Sequence, residues 1–166
     1  MKRGEMARIA LALTLGTAAA CSFAKEPQGA TVAPEAQVRQ FFAGQQAANH
    51  KGASPQELAH RFYADDITII GEGETSPKRG MGEAIKALTD WGDYLGPEGN
   101  KGCNFKLQEP VIATAYSASA FAVLHCKANP PKLEKDETIR QLFVLKKTSK
   151  GWRVVQEMWQ AGGFGQ

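Results

Sequence analysis

Residues Phe62 to Ile85 read FYADDITIIGEGETSPKRGMGEAI, and the order of signals in this stretch decides the fold. The aromatic pair Phe62–Tyr63 closes a helix. Asp65–Asp66 reads as a solvated turn rather than as a working pair of carboxylates. Ile67–Thr68–Ile69–Ile70 is β-branched and predicts a short strand, since branched side chains pack well on a pleated surface. A loop rich in Gly, Pro and Ser then leads into another helix, entered through Gly80 and Gly82.

Upstream, Val38, Phe41, Phe42, Gln45 and Ala48 recur at helical spacing and predict a first helix from about Glu35 to Asn49. Ser54–Pro55–Gln56–Glu57 has the form of a capping box. The Ser54 hydroxyl accepts from the Glu57 amide, while Glu57 reaches back to the amide of Ser54. Pro55 suits the first helical position because its missing N–H would have no partner there. This second helix runs to about Tyr63. The third, from about Gly82, carries Ile85, Leu88, Trp91 and Leu95 and stops at Gly96–Pro97.

The second half reads as strand. Cys103, Phe105 and Leu107 alternate with polar residues, and Val111 to Ala115 continues past Pro110, which suggests a bulge or an edge. Tyr116–Ser119 is the expected turn, and Ala120 to Lys127 returns. Thr138–Lys146 and Trp152–Trp159 form a last hairpin around Thr148–Gly151. In that last strand, simple alternation puts Trp152, Val154 and Met158 on one face and Val155 and Trp159 on the other. Apolar groups on both faces predict that one lines the core and the other is covered, with a homodimer contact as the natural cover.

This order, together with LFVLKKTSKGWRVVQEMW at Leu142–Trp159, resembles the nuclear-transport-factor-2-like superfamily. That group includes the SnoaL-like polyketide cyclases and the ketosteroid isomerases. The resemblance implies an α+β fold: a cone-shaped half-barrel in which three N-terminal helices pack on a curved, mostly antiparallel sheet around a pocket. It does not imply one chemistry, because the scaffold hosts isomerases, cyclases, dehydratases and binding modules.

Ketosteroid isomerases use a carboxylate base, with a tyrosine and a protonated acid holding the enolate oxygen. Set on that pattern, Gly71 stands where the base belongs, and Glu72 beside it points to the opposite face. Arg140 falls near the place of the oxyanion acid, and Phe41 and Phe42 near that of the tyrosine. No catalytic set is therefore identifiable. The candidate ligand-binding residues are Tyr63, Trp91, His125, Arg140 and Gln156. If Arg140 faces the cone, its guanidinium requires an anionic partner, either Glu109 or a ligand carboxylate. If the face is convex, it is solvated. His50, His60 and His125 are too scattered for a metal motif, and no phosphate or dinucleotide fingerprint occurs, so no metal and no cofactor are expected.

The expected function is binding of a small molecule in the cone, an anionic one if Arg140 faces it. The alternatives are an isomerase or cyclase with a site rearranged around His125, Glu72 and Tyr63, or an interaction module whose cone is filled with Phe and Trp.

At the N-terminus, Lys2, Arg3 and Arg8 precede the uncharged run Ile9–Ala20, which is too short for a bilayer and predicts a signal peptide over residues 1–24. Cleavage after Ala20 or Ala24 gives a periplasmic or secreted protein. Lipidation of Cys21 instead gives a membrane-anchored one. Residues 25–34 read as a linker, 35–161 as the single domain and 162–166 as a frayed tail. Loss of the leader lowers the formal charge from +3 to +1, and no basic stripe remains that would suit nucleic acid.

Export leaves Cys103 and Cys126 in an oxidising compartment, which favours a bridge. The expected register opposes it. A turn at Tyr116–Ser119 puts Cys126 opposite residue 109 or 110, about 20 Å from Cys103 at roughly 3.4 Å per residue, against a disulfide limit of roughly 7 Å. A bridge requires that Cys103 fold back with the preceding loop, or that the turn lie elsewhere.

Overall fold

The three helices form where the local signals place them. The structure, a computed structural model, describes residues 32–96 and 99–162. The expected leader, the site of Cys21, most of the linker and the last four residues lie outside that span. Helix α1 covers Pro34–His50 and turns Val38, Phe42 and Ala48 inward. Helix α2 covers Pro55–Phe62 with its capping box complete: Ser54 Oγ accepts from the Glu57 amide at 3.2 Å, and the Ser54 amide donates to Glu57 Oε2 at 2.8 Å. Helix α3 covers Met81–Leu95 and ends at Gly96, whose φ of 82° a side chain would resist.

Strand β1 covers Tyr63–Ile70, β2 Lys78–Arg79, β3 Cys103–Leu107 and β4 Ile112–Ala113. Strand β5 covers Ser117–Cys126, β6 Glu137–Thr148 and β7 Gly151–Ala161. They make one sheet in the order β2-β1-β7-β6-β5-β3, with β4 beside β5. All pairings are antiparallel except β1 with β7. Three helices on a mostly antiparallel sheet make the α+β arrangement that the sequence implies. Strand β1 begins earlier than expected: Asp65 and Asp66 lie within it, exposed, where its pairing with β7 is interrupted between Tyr63 and Thr68.

The core closes around Phe42, stacked on Phe105 at 5.1 Å and tilted against Phe143 at 5.1 Å. One α1 side chain thus ties the helical layer to β3 and β6, and burying a group of this size contributes roughly 1.5–3 kcal/mol.

Strand β7 is not a plain strand. Leu145 pairs with Val154 and the adjacent Val144 pairs with Gln156, so Val155 has no opposite residue and forms a β-bulge. The extra residue reverses the alternation. Trp152 and Val154 face the core before it, and Glu157 and Trp159 face the same side after it. Both tryptophans therefore share the concave side, and the expected split between two faces is corrected. The convex side is apolar for a different reason. A cross-strand row of Phe121, Leu142, Met158 and Ile70 runs over four strands, with Phe121 46% and Met158 52% exposed.

Cys103 and Cys126 stand directly opposite each other, Cα to Cα at 4.0 Å, and are bridged. The register differs from the expected one for two additive reasons. The turn lies at Thr114–Ser117, where the Thr114 amide donates to the Ser117 carbonyl at 2.8 Å, two residues earlier than expected. That displaces every partner by four. Between the pairs Leu107–Ala122 and Ile112–Ser119 the edge chain advances five residues while β5 advances three, which moves the partner by two more.

The bridge encloses a sequence separation of 23 and, in the loop-entropy description, stabilises by about 3 kcal/mol. Urea unfolding of the domain with and without reductant should differ by about that amount, with no thiol titrating in the oxidised, denatured chain. Two free thiols would contradict the register.

Candidate functional site

Between the helices and the concave face of the sheet lies a cavity of about 460 Å³. Helix α1 contributes Gln45, Gln46 and Asn49, one to two turns beyond the buried Phe42. Helix α3 contributes Leu88, Trp91 and Tyr94, and the rings of Trp91 and Tyr94 sit 5.5 Å apart. The odd-numbered residues of β6, from Glu137 to Phe143, supply the floor, and the bulge adds Glu157 and Trp159. The wall is mainly apolar, aliphatic and aromatic, with polar groups set into it, the usual makeup of a small-molecule pocket.

Glu157 is the exceptional residue: a carboxyl only 6% exposed. Tyr63 donates its hydroxyl to Oε2 at 2.5 Å, and Gln141 donates its amide to Oε1 at 2.8 Å. Each partner is placed by an ordinary device. Tyr63 is the first residue of β1, held where helix α2 ends, and Gln141 follows the β6 alternation. Burial raises the Glu157 pKa above the usual carboxylate value, and the two hydrogen bonds, which favour the ionised form, offset part of that. Burial, followed by the neighbouring Glu157 charge, pushes Tyr63 well above its ordinary value of 10.0. The pair can hold a proton, or a hydrogen-bonding ligand group, at a fixed place inside an apolar chamber.

Gly71 has a steric reason. A Cβ built there would overlap the indole of Trp159, so the ring covers the position where the isomerase pattern wants its base. Glu72 lies on the surface, where its Oε2 accepts from the Ala161 amide at 2.7 Å.

Of the five residues the sequence nominated, Tyr63 and Trp91 line the cavity. The other three do not. Arg140 shares the convex face of β6 with Leu142 and Val144, and Glu109, its expected partner, pairs with Arg39 at 2.7 Å. His125 is exposed on β5, with Nδ1 3.0 Å from Thr138 Oγ1. Gln156 is exposed because the bulge hands the inward position to Glu157. The expected attraction for an anion through Arg140 is withdrawn with these positions. Sequence reading missed Glu157, Gln141 and Gln45. An acid amid apolar neighbours on a final strand was the available signal for the first. Among the described residues, no group of three His, Cys, Asp or Glu side chains is arranged to hold a metal.

No protein-family model matches the sequence, and neither does any curated protein. Solved structures do match. A ketosteroid isomerase-like protein from Erwinia carotovora atroseptica is similar over 80% of this chain and 99% of its own, with 15% identity and a TM-score of 0.64. A nuclear-transport-factor-2-like protein of unknown function from Pseudomonas putida covers 77% and 86%, with 20% identity and a TM-score of 0.60. The calcium/calmodulin-dependent protein kinase II hub of S. rosetta covers 80% and 99%, with 14% identity and a TM-score of 0.58. The chain has the nuclear-transport-factor-2-like fold. At these identities the likeness is one of fold and leaves the chemistry to the cavity.

The raised Glu157 pKa has a pH signature with a definite sign. A carboxyl whose folded pKa lies above its unfolded value of about 4.5 contributes most below that value, and the contribution is lost as pH rises through the folded pKa. Glu157→Gln removes the titration. The stability of that variant relative to wild type should climb between pH 4.5 and pH 8 in chemical unfolding. A difference that stays flat over this range would contradict a raised Glu157 pKa.

Proposed function

We propose that the chain is an exported domain that binds a small organic molecule in its cone, with Glu157, Tyr63 and Gln141 as the polar anchor and Trp91 and Trp159 as part of the apolar wall. The observation that carries this reading is a cavity of about 460 Å³ left open around a buried carboxyl. A cone filled by Phe and Trp would suit a pure interaction module. Side chains here leave room for a ligand and keep an acid inside it, an arrangement that costs stability unless something uses it.

Export rests on the basic n-region and apolar run at the N-terminus, and the Cys103–Cys126 bridge is in keeping with an oxidising compartment. A symmetric dimer is proposed through the convex row of Phe121, Leu142, Met158 and Ile70, with a second copy covering the apolar stripe. A second reading, an isomerase- or cyclase-type enzyme with a rearranged site, draws on the Tyr63–Glu157 pair as a proton-transfer couple and no longer on His125 or Glu72.

Native mass spectrometry of the full chain, expressed with its own N-terminus and purified from the exported fraction, tests all of this. The expected masses are a chain beginning at Cys21 or Lys25, twice that mass, and an added small-molecule increment. A retained Met1 or Met6 would end the export reading, and a monomer at high concentration the dimer. No increment in any preparation, together with no small-molecule binding in solution, would end the ligand reading. An increment that differs in mass between wild type and Glu157→Gln would favour the enzyme.

A further inference from the structure

The buried acid sets the polar character of the cavity. Both carboxyl oxygens of Glu157 already take a hydrogen bond, but only from the neutral groups of Tyr63 and Gln141. A carboxylate has capacity for about four, so two positions remain. Gln45, also in the lining, keeps its amide oxygen shielded from water and without a hydrogen-bond partner. An oxygen closed to water is closed to an occupant's donor as well, so polar recognition rests on Glu157.

The charged groups of the wall point the same way. Lys78 is the lysine in the lining, and it is ion-paired to Glu74. Asp90 is matched by Lys86 at 2.6 Å. Glu137 takes a hydrogen bond from Tyr94, and Glu157 takes its two from a tyrosine and a glutamine. The pairs with lysines cancel, and the chamber keeps an acidic balance. Aromatic rings of Trp91, Tyr94 and Trp159 also line it, and such rings attract a cation once it is desolvated.

We propose that the occupant is a small organic cation: an apolar body carrying a protonated amine, with Glu157 as its counter-ion. The inference rests on the reading of the cavity as a binding site and adds the sign of the ligand. A carboxylate ligand would set a second negative charge against Glu157 in a poorly solvated chamber, where like charges repel strongly. A neutral ligand would leave an ionised Glu157 with hydrogen bonds but no counter-charge. A protonated amine answers both conditions, and its N–H groups match the free lone pairs of Glu157.

The test uses three probes of one shape and different charge: 4-phenylbutylamine, 4-phenylbutan-1-ol and 4-phenylbutyrate. Each is titrated into the processed chain at pH 8 by calorimetry, with tryptophan emission as a second readout. The amine should bind at least about tenfold more tightly than the alcohol, the gain expected of a charge-assisted hydrogen bond, and the carboxylate should bind most weakly. In Glu157→Gln the amine-to-alcohol ratio should fall towards one. If that variant fails to fold, the order in the wild type decides alone. Alcohol or carboxylate binding as tightly as the amine would overturn the cationic ligand and leave the binding cavity standing. Binding of none of the three would overturn the inference, and the cavity reading would fall with it only if the chain also retains no small molecule on purification.

Discussion

One unpaired residue governs the concave face. Val155 stands without a partner between the Leu145–Val154 and Val144–Gln156 pairs, and everything on β7 beyond it is turned over. Because strand side chains alternate with a period of two, a single inserted residue exchanges the two faces. Without it, Gln156 and Met158 would line the cone, and Glu157 and Trp159 would face outward. With it, an acid meets Tyr63 and Gln141, and an indole comes to rest over Gly71. The chamber, its polar anchor and the closure of the position expected for a base all follow from that one insertion.

The same constraint explains how much of the molecule could be read from its residues. Helices and their ends were legible because their signals are local. The Ser54–Glu57 box, the stripe through Val38, Phe42 and Gln45, and the stop at Gly96 each lie within a few turns of chain. The longer strands of the second half were legible for the same reason, whereas β1 begins at Tyr63 instead of Ile67 and β2 lies in the stretch read as a loop. Facing and register were not, because they depend on counting across irregularities that no local pattern marks. A bulge at Val155 moved the inward role from Gln156 to Glu157. A turn two residues earlier than expected, with two more residues absorbed between Leu107 and Ile112, brought Cys103 opposite Cys126. Arg140 was read on the correct face with Leu142 and Val144, but only the finished sheet tells which side of that strand is concave.

The site departs from the isomerase arrangement by substitution of roles and keeps the scaffold. Where that pattern has a base on the first strand, this chain has a glycine, required by the ring above it. The carboxyl has moved to the last strand, and the tyrosine that answers it comes from the start of β1. An acid and a tyrosine in hydrogen-bond contact stand in the chamber at different positions. Fold and chemistry separate cleanly here: the sheet and helices set the chamber, and a handful of side chains sets what it can hold.

Nuclear Overhauser contacts in the isotopically labelled domain test the bulge most directly. The account predicts cross-strand backbone contacts between Val144 and Gln156, and contacts from the Tyr63 ring protons to the Glu157 side chain. Backbone contacts between Val144 and Val155, with the Tyr63 ring against Gln156, would contradict it.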